Sequence, residues 1–187
     1  MKIITGKHKN RIIPTIHGAG YRPSTTKFRE AIFSILSSGS FLESQPIINA
    51  DILDLFAGSG SLSFEALSRG AKSVTLVDIN PDYLKIAKNF AEKIGESQNI
   101  TIYAADARTI YLSHKQFSIV FMDPPYNSKY IDITLKNLDK INCLTDNALI
   151  VIEMGKDESC SFNPNFLLYT EKLYGNNKLL ILKYAKK

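Results

Sequence analysis

The sequence has few of the features that mark several large classes of protein. Its two cysteines, Cys143 and Cys160, suggest neither a disulfide framework nor a metal cluster, so we expect no bound metal. The longest apolar runs, such as residues 148–152, are of strand length and far too short to span a bilayer. The amino terminus has no apolar stretch long enough for a signal peptide. These features favour a cytoplasmic protein, and a monomer is the default expectation.

The positive charge is concentrated at one end of the chain. The whole sequence has a net charge of +5, whereas residues 1–30 contain seven basic residues and one acidic residue, a net charge of +6. The remaining 16 basic and 17 acidic residues give a net charge of −1. Such a block can neutralise phosphates and attract a polyanion. A solvated basic arm is equally compatible with the charge alone.

The hydrophobic pattern changes near residues 37–50 and predicts two parts, an extension over 1–40 and a domain over 41–187. The extension has a β-like segment at Arg11–Ile16 and a helix beginning near Ser24. After residue 50, apolar strands alternate with helical patterns, which predicts a mostly parallel α/β sheet covered on both faces. The predicted strands are 52–56, 73–77, 100–104, 119–122 and 149–153, followed by a hairpin of 167–174 and 179–184.

The first predicted strand runs into a glycine-rich turn. Gly58 and Gly60 allow a tight turn close to a ligand, and the following helix begins with free N–H groups. The third glycine of a dinucleotide fingerprint is absent, because position 63 is serine. Asp54 before the turn, with Phe56 and Ala57 in it, fits S-adenosylmethionine better, since that cofactor has no pyrophosphate and carries a positively charged end.

Acidic residues also follow the second and third strands. Asp78 is placed to accept hydrogen bonds from ribose hydroxyls, which supports a nucleoside cofactor but does not separate S-adenosylmethionine from NAD. Asp106, followed by Ala107, is placed to accept a hydrogen bond from an adenine amino group. In parallel sheets ligands bind beyond the carboxyl ends of the strands, so these residues predict one shared cofactor site.

The fourth strand ends at the sequence Asp-Pro-Pro-Tyr. The exocyclic amine of a nucleic-acid base is a poor nucleophile, because its lone pair is delocalised into the ring. The Asp123 carboxylate and the Pro124 carbonyl can accept hydrogen bonds from its two N–H groups and direct the lone pair at a methyl group. The two prolines hold this loop rigid. Tyr126 offers a flat face on which an unstacked base can lie. The loop therefore predicts amine methylation.

These motifs resemble the class I methyltransferases with a Rossmann-like fold that act on amino groups. The segments 6–11, 22–33 and 65–71 and the C-terminal hairpin are similar to the bacterial RsmD family of 16S ribosomal RNA guanine-N2 methyltransferases. The resemblance covers nearly the whole chain. It implies a seven-stranded sheet with a small N-terminal β-hairpin, S-adenosylmethionine as cofactor, and 16S rRNA or a 30S assembly particle as partner. It also implies RNA contacts from four basic residues, Lys7, Lys9, Arg11 and Arg22.

Three other functions compete with this interpretation. A DNA or RNA adenine-N6 methyltransferase would use the same loop, although DNA enzymes usually carry a separate target-recognition region, for which the chain has no room. An NAD-dependent oxidoreductase would need a substrate domain and an acid or base for hydride transfer, and none of the three histidines follows a core strand. A non-catalytic RNA-binding module would leave the loop at 123–126 unexplained.

Overall fold

The structure, a computed structural model, describes residues 1–15, 25–38, 41, 44–112, 115–126 and 128–185. Four helices and seven strands alternate along much of this part of the chain. The helices are α1 (Thr26–Leu36), α2 (Ser61–Ser68), α3 (Pro81–Ile94) and α4 (Tyr130–Ile141). The strands are β1 (Asp51–Leu55), β2 (Ser73–Asp78), β3 (Ile100–Ala104), β4 (Phe117–Met122), β5 (Leu144–Gly155), β6 (Phe166–Tyr174) and β7 (Asn177–Tyr184).

The seven strands form one mixed sheet in the order β3-β2-β1-β4-β5-β7-β6. Strands β1 to β5 pair in parallel, so their carboxyl ends share one edge. Strand β7 pairs antiparallel with both β5 and β6. The predicted fold class, a Rossmann-like parallel sheet extended by an antiparallel hairpin, is confirmed. Because β7 runs antiparallel to β5, with Asn177 opposite Gly155, its first residues lie at the edge where the parallel strands end.

Local sequence signals explain why the helices begin and end where they do. The side chain of Asn80 accepts a hydrogen bond from the Asp82 N–H at the start of α3, and Pro81 occupies the first turn. The helix ends at Gly95, which adopts a left-handed conformation. The buried face of α3 packs on the sheet through Tyr83, Leu84, Ala87, Phe90 and Ala91.

Most predicted strands lie within two residues of the observed ones, and two segments differ by more. Strand β5 runs from 144 to 155, well beyond the predicted 149–153, because its first part pairs with the start of β4. The predicted β-like segment Arg11–Ile16 contains a single bridge between Lys2 and Ile12, and residue 16 lies outside the described residues. Backbone hydrogen bonds from Ile3 to Arg11 and from Asn10 to Ile3 complete a small N-terminal hairpin.

The apolar side chains form two cores, one on each face of the sheet. The first core includes Phe28, Ile32, Phe33 and Leu36 of α1 together with Ile52 of β1, so the N-terminal helix packs on the same sheet as the rest of the chain. None of the helices in the described part of the chain combines the length and apolar character needed to cross a bilayer.

Candidate active site

A cavity of about 570 Å³ lies at the carboxyl edge of the parallel strands. Residues at or just beyond the ends of β1, β2, β3 and β4 all contribute to its wall, as expected where parallel strands end together. The structure therefore brings together residues that are up to 74 positions apart in the sequence, from Phe56 to Tyr130. Seven of the predicted site residues line the cavity: Phe56, Asp78, Asp106, Ala107, Asp123, Pro124 and Tyr126.

The remaining predicted cofactor residues, Asp54, Ala57, Gly58 and Gly60, are not part of this wall. Asp54 is only 2% exposed, and its Oδ2 accepts hydrogen bonds from the Ser63 hydroxyl at 2.6 Å and the Ser63 N–H at 3.2 Å. Burial raises the pKa of Asp54 to about 7, and the charge of Asp78 acts in the same direction while both hydrogen bonds oppose it. In this structure Asp54 holds the first turn of α2, behind the glycine-rich turn.

The glycine-rich turn between β1 and α2 depends on positive φ angles. Phe56, Gly58 and Gly60 have φ angles of 61°, 54° and 80°. A Cβ atom on Gly60 would lie 2.8 Å from a methyl group of Leu76 and 2.9 Å from the ring of Phe64, so the close packing of turn and sheet requires glycine there. The left-handed conformation of Phe56 accompanies its position on the cavity wall.

Asp78 ends β2 and faces the cavity with both carboxylate oxygens hydrogen-bonded to the backbone. Oδ2 accepts from the Gly58 N–H at 2.7 Å, and Oδ1 accepts from the Asn80 N–H at 2.8 Å. These bonds fix the carboxylate relative to the glycine-rich turn. Each oxygen keeps a second lone pair with which it can accept a hydrogen bond from a hydroxyl group of a ligand.

Asp106 forms a forked ion pair with Arg108, which sequence reasoning missed. The guanidinium donates to both carboxylate oxygens, with Nε lying 2.9 and 3.0 Å from them. These hydrogen bonds hold the pKa of Asp106 below its usual range. The guanidinium also lies 4.2 Å from the ring centroid of Tyr130, and that ring stacks at 6.1 Å on Phe56. Arg108 lies two residues after Asp106, so an ion pair between them is a signal that the sequence contains. Tyr130 becomes a wall residue only through folding.

The loop after β4 places three predicted catalytic residues at the cavity. Asp123 is half-buried, Pro124 is buried, and Tyr126 is 42% exposed at the cavity mouth. The Tyr126 hydroxyl donates a hydrogen bond to the side-chain oxygen of Asn177 at 3.1 Å. The loop thus places a half-buried carboxyl group and an accessible aromatic ring at the same cavity. Its predicted catalytic role stays a prediction at this point.

The basic N-terminal hairpin attaches to the far end of α2. The Lys7 N–H donates to the Ser68 carbonyl at 2.9 Å, and the Lys7 ammonium lies 2.6 Å from a carboxylate oxygen of Glu96. Helix α2 begins directly after the glycine-rich turn and has eight residues, so its length of about 12 Å lies between that turn and the Lys7 contact at Ser68. Lys9 and Arg11 are exposed near the tip, whereas Arg22 lies outside the described residues.

This chain is similar to known proteins over almost its whole length. The model of the family described as Conserved hypothetical protein 95 matches residues 1–183. An uncharacterized methylase of Rickettsia prowazekii is 40% identical, over 99% of this chain and 98% of that protein. The ribosomal RNA small subunit methyltransferase D of Escherichia coli is 32% identical, over 94% of this chain and 85% of that protein.

Solved structures show the same likeness in three dimensions. The Escherichia coli protein yhhF superposes with a TM-score of 0.86 and 27% identity, covering 100% of this chain and 99% of that one. An RNA methyltransferase of Salinibacter ruber, solved with S-adenosyl-L-homocysteine, has a TM-score of 0.63 and 12% identity over 89% of this chain and 95% of that one, which shows a shared fold. Since the family match and the fold both extend over nearly the whole chain, this protein belongs to the Conserved hypothetical protein 95 family, the RsmD family of class I methyltransferases.

Proposed function

We propose that this protein transfers a methyl group from S-adenosylmethionine to the exocyclic N2 amine of a guanine in 16S rRNA. The observation that carries the proposal is the placement of Asp123 and Pro124 on the wall of a cavity that also contains Asp78 and Asp106. A small-subunit RNA substrate is supported by relatives named ribosomal RNA small subunit methyltransferase D at 32–33% identity. The 30S assembly particle is the proposed physiological partner.

The cavity has the donors and acceptors that S-adenosylmethionine requires. Asp78 can accept hydrogen bonds from its ribose hydroxyls, and Asp106 can accept one from its adenine amino group. Phe56 and Ala107 supply apolar wall against which the adenine ring can pack. When bound, this cofactor supplies an electrophilic methyl group on a sulfonium. We propose that the buried Asp54 supports the turn around the cofactor and does not touch it directly.

The loop at 123–126 is proposed to activate the amine. The Asp123 carboxylate and the Pro124 carbonyl accept hydrogen bonds from the two N–H groups of the amine. They so direct the nitrogen lone pair toward the methyl carbon. Because Pro124 is buried and proline fixes its backbone φ, these acceptors need little reorganisation during the reaction. Tyr126 stacks on the unstacked base. The proton that the amine loses passes to Asp123 or to water.

We propose that residues 1–40 act as an RNA-binding extension and that residues 41–187 carry the methyl transfer. Lys9 and Arg11 are exposed at the hairpin, and Lys7 is 52% exposed although it pairs with Glu96. Because the hairpin attaches at the far end of α2 from the glycine-rich turn, these residues would contact RNA away from the target nucleotide. Arg22, also proposed as an RNA contact, precedes α1.

The direct test offers labelled S-adenosylmethionine with unmodified small subunits, naked ribosomal RNA and DNA, followed by nucleoside analysis. We expect N2-methylguanine in the small-subunit RNA. N6-methyladenine as the product, or label only in DNA, would favour the adenine-N6 alternative and reject the proposal.

A variant test addresses the acceptor mechanism. Asp123→Ala should lower kcat by about 100-fold or more because the amine loses one of two fixed acceptors. Binding of S-adenosylhomocysteine should persist. The matched control is Asp146→Ala, which removes an exposed carboxylate at the opposite edge of the sheet. A near-normal rate for Asp123→Ala would contradict the mechanism.

A further inference from the structure

A chain of hydrogen bonds connects the core of the sheet to the cavity mouth. Glu153 is only 3% exposed near the end of β5, and one of its carboxylate oxygens accepts from the Asn177 side-chain amide at 2.6 Å. The side-chain oxygen of Asn177 accepts from the Tyr126 hydroxyl at 3.1 Å. Of these three residues, only Tyr126 lines the cavity.

Sheet register explains why these residues meet. Glu153 pairs with Leu179, and Gly155 pairs with Asn177, in the antiparallel ladder between β5 and β7. Glu153 and Asn177 are therefore diagonal neighbours whose side chains share one face of the sheet. Strand β5 also neighbours β4, so the loop that leaves β4 can reach over β5 to the first residue of β7.

The chemistry of Glu153 sets the orientation of the Asn177 amide. In the structure the Asn177 NH2 group points toward the Glu153 carboxyl group and donates to one of its oxygens. The amide oxygen is then turned to the opposite side, where it accepts from the Tyr126 hydroxyl. With the amide reversed, its NH2 group would face the hydroxyl and its oxygen would face the buried carboxylate, which is unfavourable.

We infer that Glu153 and Asn177 are positioning residues that hold the ring of Tyr126 upright at the cavity mouth, where the target base stacks. The inference rests on the proposed function, because the stacking role of Tyr126 belongs to that proposal. Tyr126 is 42% exposed, so packing alone gives its ring limited support. A ring held in place before binding avoids the ordering cost that a mobile side chain would impose on the encounter with the base.

The first test measures methylation kinetics of the full-length protein with small subunits. Tyr126→Phe keeps the ring and removes the hydroxyl, and Asn177→Ala removes its acceptor. Each change should lower kcat/KM for the RNA substrate about fivefold, the usual effect of one hydrogen bond. The double variant should lose no more than either single variant, because both break the same bond. The dissociation constant of S-adenosylhomocysteine should stay the same.

The second test exchanges donor and acceptor along the chain. Glu153→Gln alone lets the Asn177 amide turn over, and Asn177→Asp alone places a second carboxylate beside Glu153. Each should lower kcat/KM for RNA. In the variant that combines both changes, the amide introduced at position 153 donates to the carboxylate introduced at position 177. That carboxylate also accepts from the Tyr126 hydroxyl, so activity should return to near the wild-type value.

Two controls separate this chain from general effects on folding or RNA binding. Tyr111→Phe removes a hydroxyl from a ring that is 75% exposed, and Asn176→Ala removes an exposed amide from the turn that ends at Asn177. Both should keep wild-type kinetics. Full activity in Tyr126→Phe, or failure of the combined variant to recover when both single variants fold and bind cofactor, would overturn the inference.

Failure of the positioning role can be distinguished from failure of the proposed function. If the wild-type protein methylates guanine and Asp123→Ala is inactive, normal kinetics in Tyr126→Phe reject the positioning role alone. If the wild-type protein methylates no RNA, the proposed function and the positioning role both fail. Nuclear magnetic resonance of the Asn177 side-chain amide then shows separately whether the hydrogen-bonded chain itself exists.

Discussion

The buried carboxyl group of Asp54 should make the stability of this protein depend on pH in a direction opposite to that of most acidic residues. Folding raises the pKa of Asp54 from 3.8 to about 7, chiefly through burial. Between these values the folded state binds a proton that the unfolded state does not. The free energy of unfolding contributed by this group is therefore highest below pH 4 and falls as the pH rises toward 7.

The size of the effect follows from the pKa difference. A difference of one unit between the folded and unfolded pKa corresponds to about 1.4 kcal/mol. The difference of about three units for Asp54 therefore gives an upper limit of about 4 kcal/mol. Asp54→Asn removes the ionisation. The amide oxygen can keep both hydrogen bonds from Ser63, since both go to one carboxylate oxygen. As the pH rises from 5 to 8, the free energy of unfolding of the wild type should fall by about 3 kcal/mol relative to that of the variant.

Urea unfolding at constant ionic strength measures this difference, with circular dichroism as the probe because the chain has no tryptophan. Other carboxyl groups titrate in both proteins, so the difference between the two curves isolates Asp54. The control is Asp146→Asn, an exposed side chain at the opposite edge of the sheet. If the free energies of unfolding of the wild type and of Asp54→Asn differed by the same amount at pH 5 and at pH 8, the reasoning would be refuted.

Three further changes test other parts of the structure. Gly6→Ala places a Cβ atom 1.8 Å from the Ser68 carbonyl oxygen and should destabilise the protein by about 2 kcal/mol or more in thermal unfolding. Gly95→Ala, at a similar φ with no atom within 4 Å, is its control and should cost less. Arg108→Ala should weaken S-adenosylhomocysteine binding about fivefold in calorimetry, because its acidic partner loses a fixed orientation. Lys9→Gln should lower the slope of log affinity against log salt by about one in RNA-binding titrations.

Each of these changes has an outcome that would count against it. Equal loss of stability in the two glycine variants would mean that the contact with Ser68 does not anchor the hairpin. Unchanged affinity in Arg108→Ala would remove that residue from the cofactor site. An unchanged salt slope in Lys9→Gln would mean that this side chain does not contact RNA phosphates.

Much of the site could be predicted from the sequence because of how parallel sheets are built. Apolar strands of similar length alternate with capped helices, and each chemically distinctive residue directly follows a strand. Parallel strands end at one edge, so the order Asp78, Asp106 and Asp123 already placed these residues around a common space. The sequence Asn80-Pro81 is a local signal of the same kind at the start of α3, because capping depends only on neighbouring residues.

Contacts between distant elements required the tertiary structure. The insertion of β7 between β5 and β6 puts Asn177 between Glu153 and Tyr126, and none of the three residues is near another in the sequence. Burial of the acid before the glycine-rich turn and the attachment of the basic hairpin to the far end of α2 also depend on packing. The alternation of strands and helices and the residues at the strand ends can be predicted from the sequence, since both are local properties of the chain. Only the folded structure decided which side chains meet across strands, because strand order and register are set by the packing of the whole sheet.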